Sequence, residues 1–84
     1  MKIVYSTKFL RSFGKLSRHV KDEFRKKEII FRQNQSDSRL RTHKLKGRGE
    51  WSFLITYKIR VIFVFENNNI LLVNIGDHSI YRKR

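Results

Sequence analysis

Trp51-Ser52-Phe53-Leu54-Ile55-Thr56-Tyr57, Ile59-Arg60-Val61-Ile62-Phe63-Val64-Phe65 and Ile70-Leu71-Leu72-Val73-Asn74-Ile75 follow one another in the last third of the chain. Each stretch is short and dominated by β-branched and aromatic residues, which fit a pleated surface. Lys58 suits a tight connection between the first two. Glu66-Asn67-Asn68-Asn69 suits a hairpin turn between the last two, because Asn tolerates positive φ. The three stretches therefore predict an antiparallel meander. In its middle strand Ile59, Val61, Phe63 and Phe65 point to one face, and Arg60, Ile62 and Val64 to the other. Arg60 is the one charge in that strand. Such an arginine needs an acidic partner, with Glu50 and Glu66 as candidates, or an opening onto a cleft.

Outward from the meander, Arg39 to Arg48 carries five basic side chains in ten residues and no acidic one. Leu40 and Leu45 are too few to make a core element, so the segment reads as exposed and partly extended. It leads to a turn at Gly47-Arg48-Gly49, which is too short for a phosphate-cradling loop. Gln33 to Ser38 is polar and reads as a loop. Before it, Phe9, Phe13, Leu16, Val20, Phe24 and Phe31 recur at helical spacings, with basic residues filling much of the opposite face. Gly14 weakens this helix and Ser17 is a capping residue, so a hairpin breaking between Gly14 and Arg18 is one reading. A continuous helix is the other, since the phase runs across the join. The aromatic stripe suits the covering of one sheet face better than a membrane surface. Lys2 to Tyr5 is a strand candidate.

The 84 residues leave room for one small domain, 1–84, with one modest core. There is no Cys, so neither a disulfide nor a Cys-based metal site staples it, and a reducing cytoplasm fits. No apolar run approaches a membrane span, and the N-terminal strand is too short for a signal peptide. Twenty Lys and Arg against seven Asp and Glu give +13, a charge that asks for an acidic partner. It is uneven: residues 1–49 hold 15 basic and 4 acidic side chains, residues 50–84 hold 5 and 3. No His, Asp and Glu cluster has metal-ligand spacing, which favours a metal-free, cofactor-free chemistry.

The order strand, helical hairpin, basic segment and meander resembles the RelE/ParE superfamily of toxins from type II toxin–antitoxin pairs. The matching pieces are His43-Lys44-Leu45-Lys46-Gly47, Trp51-Ser52-Phe53, Arg60-Val61-Ile62-Phe63, and Ile75-Gly76-Asp77-His78 with Tyr81. The resemblance, counted over the order of elements, covers nearly the whole chain. The resemblance implies an α+β fold of the RelE-like microbial RNase type: an N-terminal strand, a two-helix hairpin, and a three-stranded antiparallel meander, with the helices on one face of the sheet. The lysines that the RelE branch uses fall at Ser52 and Leu54 here, so the sequence departs from that branch. It is closer in motif to the YoeB and YafQ branches.

For those branches the implied activity is ribosome-dependent cleavage of mRNA in the A site by attack of a 2′-OH. Such a reaction needs a base, an acid and positive charge on the phosphorane. The resemblance assigns His43 and His78 as the acid–base pair, His43 as base by preference but with the reverse open. Arg60 would hold the phosphorane charge, since a guanidinium is always charged and binds two oxygens at once. Tyr81 would stack on a base or donate to the phosphate, or else pack at the sheet edge. Lys44, Lys46, Arg48, Arg82 and Lys83 would bind flanking RNA. His19 and Trp51 read as structural. The implied partners are an acidic, partly disordered antitoxin, mRNA on the ribosome and rRNA. Two alternatives stay open: a non-enzymatic gyrase inhibitor of the ParE kind, and a catalytically inactive RNA- or ribosome-binding module.

Overall fold

The structure is a computed structural model, and it describes residues 2–47 and 49–81. Strand β1 (Lys2–Tyr5) leads into helices α1 (Thr7–Gly14) and α2 (Arg18–Gln33). A 3₁₀ turn over Ser38–Leu40 precedes β2 (His43–Lys44), and then come β3 (Trp51–Leu54), β4 (Arg60–Glu66) and β5 (Asn69–Gly76). A second 3₁₀ turn, His78–Tyr81, follows. The sheet order is β1-β5-β4-β3-β2, with β1 parallel to β5 and every other pair antiparallel. This is the expected α+β architecture, with one strand more than the sequence indicates: β2 adds an edge to the meander.

The helical stretch divides into two helices. Ser6 caps α1 by accepting from Phe9 N at 2.9 Å, and Ser17 caps α2 by accepting from Val20 N at 3.2 Å. A serine at each N-cap satisfies a backbone donor that the helix itself leaves open. The Ser6 hydroxyl also donates to the Val73 carbonyl at 2.8 Å, so one side chain starts the helix and fastens it to β5. Ser12 makes a second tie, donating to Asn74 Oδ1 at 2.8 Å.

One face of the sheet carries the core. Phe31 of α2 stacks on Phe53 of β3 at 4.3 Å between ring centroids and meets Phe63 edge-on at 5.1 Å. Phe9, Phe24, Ile55, Val61, Ile70, Leu72 and Ile75 join them in the buried cluster. Leu40 belongs to it as well and is fully buried. Here the expectation fails: the basic segment supplies a core residue. The reason is local. Asp37 caps the 3₁₀ turn and its carboxylate also pairs with the Arg39 guanidinium, at 2.9 Å, which turns the charges outward and Leu40 inward.

The meander differs from expectation in two places. β3 stops at Leu54 rather than Tyr57, because residues 55–59 form a closed turn: Ile55 N donates to Ile59 O at 2.8 Å and Thr56 Oγ1 accepts from Ile59 N at 3.1 Å. Between β4 and β5 the register shifts, with Ile62 opposite Asn74 but Phe63 opposite Leu72, so Val73 is an extra residue in β5. The Asn turn forms as read, with φ of 51° at Asn67 and 66° at Asn68.

Leu40→Ala should lower the unfolding free energy by about 2–5 kcal/mol, the cost of removing a fully buried leucine side chain. Urea denaturation measures it. A loss well under 1 kcal/mol would mean that Leu40 does not join the core.

Candidate RNA-cleavage site

The site lies on the sheet face away from the helices. Register places His43, Ser52 and Ile62 in one row across β2, β3 and β4, and Leu54, Arg60 and Gly76 in another two residues along. Phe53 and Val61, which belong to the core under the helices, alternate with these residues, so both rows face the other way. Ser52 and Ile62 fit that placement: both are buried, yet neither belongs to the hydrophobic cluster around the helices.

Past Gly76 the chain folds back over this face. A Cβ at Gly76 would stand 2.7 Å from Ile80 Cγ2, so the second 3₁₀ turn rests directly on the glycine backbone. Asp77 shapes that turn: its carboxylate accepts from Ser79 N at 2.9 Å and its carbonyl from Ile80 N at 3.1 Å. The turn carries His78, exposed, with its ring centroid 5.6 Å from that of Tyr81.

Arg60 stands where two open clefts meet. One, of about 620 Å³, is lined by Tyr57, Lys58, Arg60, Asp77, His78 and Ser79. The other, of about 350 Å³, is lined by Arg41, Leu54, Tyr57 and Arg60. The Arg60 side chain is half-buried, and its Nε is fully buried with no hydrogen-bond partner among the described residues. No ion pair to it forms there either, so the Glu50 and Glu66 pairings do not account for it. A desolvated donor on a permanent cation favours an anion brought to it.

His43 is exposed on β2, and its Nδ1 lies 3.1 Å from the Arg41 carbonyl. A carbonyl only accepts, so Nδ1 carries the proton of that bond. In the neutral ring the lone pair then sits on Nε2, which is the state a general base needs. His43 lies two strands and two residues from Arg60, about 12 Å between Cα atoms from strand spacing and rise. A bound nucleotide, rather than a direct contact, would have to bridge that gap.

The structure thus brings Arg60, His78 and Tyr81 together and puts His43 on the same face, at the far rim. Lys44 is not part of this group: it pairs with Trp51, whose ring stacks toward Phe63 of the core, so its side chain leaves on the opposite face. Lys46 is exposed in the turn after β2. Arg48, Arg82 and Lys83 lie outside the described residues. Arg41, Tyr57 and Lys58 line the clefts but do not stand out in the sequence. Arg41 has one local mark, a φ of 48°, unusual for a residue with a Cβ. Among the described residues no group of three or more His, Asp or Glu is placed to hold a metal ion.

With this geometry in view, solved structures give the decisive comparison. YafQ from E. coli strain BL21(DE3) superposes with a TM-score of 0.80 over 98% of both chains, at 11% identity. The chain has the RelE/ParE toxin fold. A YoeB/ParE toxin from Agrobacterium tumefaciens has a TM-score of 0.77 at 15% identity, over 93% of this chain and 99% of that one. A RelB–RelE antitoxin–toxin complex from Methanococcus jannaschii gives 0.76 at 14% identity, over 96% and 98%. No protein-family model and no curated protein sequence matches the chain. At these identities the RelE/ParE fold is conserved in backbone while most side chains differ, so the site rests on its own geometry.

Gly76→Ala puts a methyl 2.7 Å from Ile80 Cγ2, so Ile80 and the turn that carries His78 must shift; it should lower activity at least tenfold while the urea midpoint changes little. Equal activity in the variant would show that the turn's seat on Gly76 does not position His78. The Arg39 guanidinium, then the Arg39 backbone N–H, hold the Asp37 carboxyl down to about 2 from its ordinary 3.8. A depressed folded value means this contribution is complete above pH about 3.8 and is lost as pH falls toward 2. An NMR titration of the Asp37 carboxyl should find its midpoint near the lower value in the wild type; a midpoint near 3.8 would show that the clamp does not form.

Proposed function

We propose that this chain is the toxin of a type II toxin–antitoxin pair and cuts mRNA in the ribosomal A site. The observation that carries the reading is Arg60: a permanent cation with a buried, unmatched donor, at the meeting of two clefts, with His78 on one side. The fold it shares with YafQ and RelE supports the toxin role.

In this reading RNA lies across the sheet with the scissile phosphate on Arg60. His43 Nε2 takes the proton from the 2′-OH, and the oxygen attacks phosphorus. The guanidinium holds the charge that builds on the phosphorane oxygens. The bond from phosphorus to the 5′-oxygen breaks, and His78 delivers a proton to that oxygen. The products are a 2′,3′-cyclic phosphate and a 5′-hydroxyl. Tyr81, beside His78, orients the ring or donates to the phosphate. Lys46 and the basic residues outside the described part hold flanking phosphates.

The rest of the proposal concerns partners. The chain acts as a single domain in the cytoplasm, and no helix among the described residues is long and apolar enough to cross a membrane. Its net charge of +13 suits both ribosomal RNA and an acidic antitoxin. The RelB–RelE complex supplies the precedent for that partnership.

Expression should arrest growth and leave mRNA cuts in phase with codons, mapped by primer extension. Arg60→Ala and His78→Ala should each remove about 2.7–4 kcal/mol of barrier lowering, a loss of about 10²–10³-fold in cleavage rate. Growth arrest with uncut mRNA and inhibited gyrase would replace this reading with a non-enzymatic one.

A further inference from the structure

Tyr57 stands at the tip of the turn between β3 and β4, with 80% of its surface exposed. It is the most exposed of the large apolar and aromatic side chains among the described residues. The turn that carries it is closed on all sides. Thr56 Oγ1 accepts from Lys58 N at 3.2 Å and from Ile59 N at 3.1 Å, and Lys27 Nζ reaches from α2 to the Ile55 carbonyl at 2.9 Å. A rigid turn thus holds an aromatic ring out in water.

The ring also has a particular address. Besides Arg60, Tyr57 is the one residue among the described residues common to the linings of both clefts. On one side of it lie His78 and Lys58; on the other lie Leu54 and Arg41. Arg41 in turn is bonded through its carbonyl to the His43 ring. The divided groove therefore has an acid side and a base side, with the phosphate-binding arginine at the divide.

We propose that Tyr57 is a base-stacking residue that splits the groove into two nucleotide subsites. The nucleotide bearing the attacking 2′-OH takes the Arg41 side, its base held between the Tyr57 ring and the Arg41 guanidinium over Leu54. The nucleotide bearing the leaving 5′-oxygen takes the His78 side. This deepens the RNA-cleavage reading and rests on it. The chemistry favours single-stranded RNA: bases free of a duplex expose faces that stack on tyrosine rings and on guanidinium planes. Stacking of this kind accepts every base, so Tyr57 adds affinity and register rather than a choice of letter.

The test uses the whole protein and ribosomes programmed with an mRNA in which the nucleotide upstream of a mapped cut is 2′-deoxy-2-aminopurine. The missing 2′-OH blocks cleavage, and the fluorescent base reports stacking. Wild type, Tyr57→Phe and Tyr57→Trp should quench the fluorescence; Tyr57→Ala should not, and its affinity should fall about 5- to 150-fold. Arg41→Asn, which tolerates the left-handed backbone, should weaken quenching. With an abasic nucleotide at that position, wild type and Tyr57→Ala should bind alike. Unchanged quenching in Tyr57→Ala, or an equal loss on abasic RNA, overturns the proposal while mapped cleavage still stands. If the wild type cuts no mRNA in cells, the cleavage reading falls and this proposal falls with it.

Discussion

Phe31 lying flat on Phe53, at 4.3 Å, fixes which side of the sheet is closed. That contact joins the second helix to the third strand, and the cluster of Phe9, Phe24 and Phe63 extends it in both directions. A chain of this size has only one core to build. Once the helices and their aromatic stripe take one face, the charged and polar strand residues Arg60, His43 and Ser52 fall on the other, beside Ile62 and Leu54. Arg60, His43 and Ser52 sit there because strand alternation puts them opposite Val61, Lys44 and Phe53. The face that carries Arg60 is therefore the complement of the one under the helices, and a single residue slip in β4 would exchange them.

The extent to which this was legible in the sequence follows from what each signal encodes. Periodicity is a local property, and it located the meander, the helices and the N-terminal strand. Gly14 and Ser17 marked the helix break, and the structure chooses the two-helix reading over the continuous one. What periodicity cannot report is a contact made by one residue alone. Leu40 sits among cations and looked like a chance apolar residue, but a capped 3₁₀ turn drives it fully into the core. Likewise, β2 is only two residues long, too short for any alternation to be visible. Its existence depends on β3 being available to pair with it.

The site shows the same division. Arg60 was conspicuous because a charge within an apolar strand is locally anomalous. His78 stood out by its place after a strand-ending glycine. Lys44 did not separate from His43 in sequence, although one residue of strand sends their side chains to opposite faces. Arg41 and Tyr57 carry no such mark in the sequence, because each lines the groove only through the segments that fold around it. Arg41 comes from the loop before β2 and Tyr57 from the turn after β3, and no short window of sequence contains both.

The parallel pairing of β1 with β5 has a consequence in time. Lys2 lies against Asn69 and Tyr5 against Leu72, so the first strand waits for the last one to be made. Contacts of such long range close a large loop of chain and form late compared with the helical hairpin. Strand β5 also ends at the glycine on which the His78 turn rests. The sheet and the turn that carries His78 are therefore completed together, once β5 is in place. A nascent chain carries its basic helices early, but it holds no assembled groove until β5 and the turn after it have been synthesised.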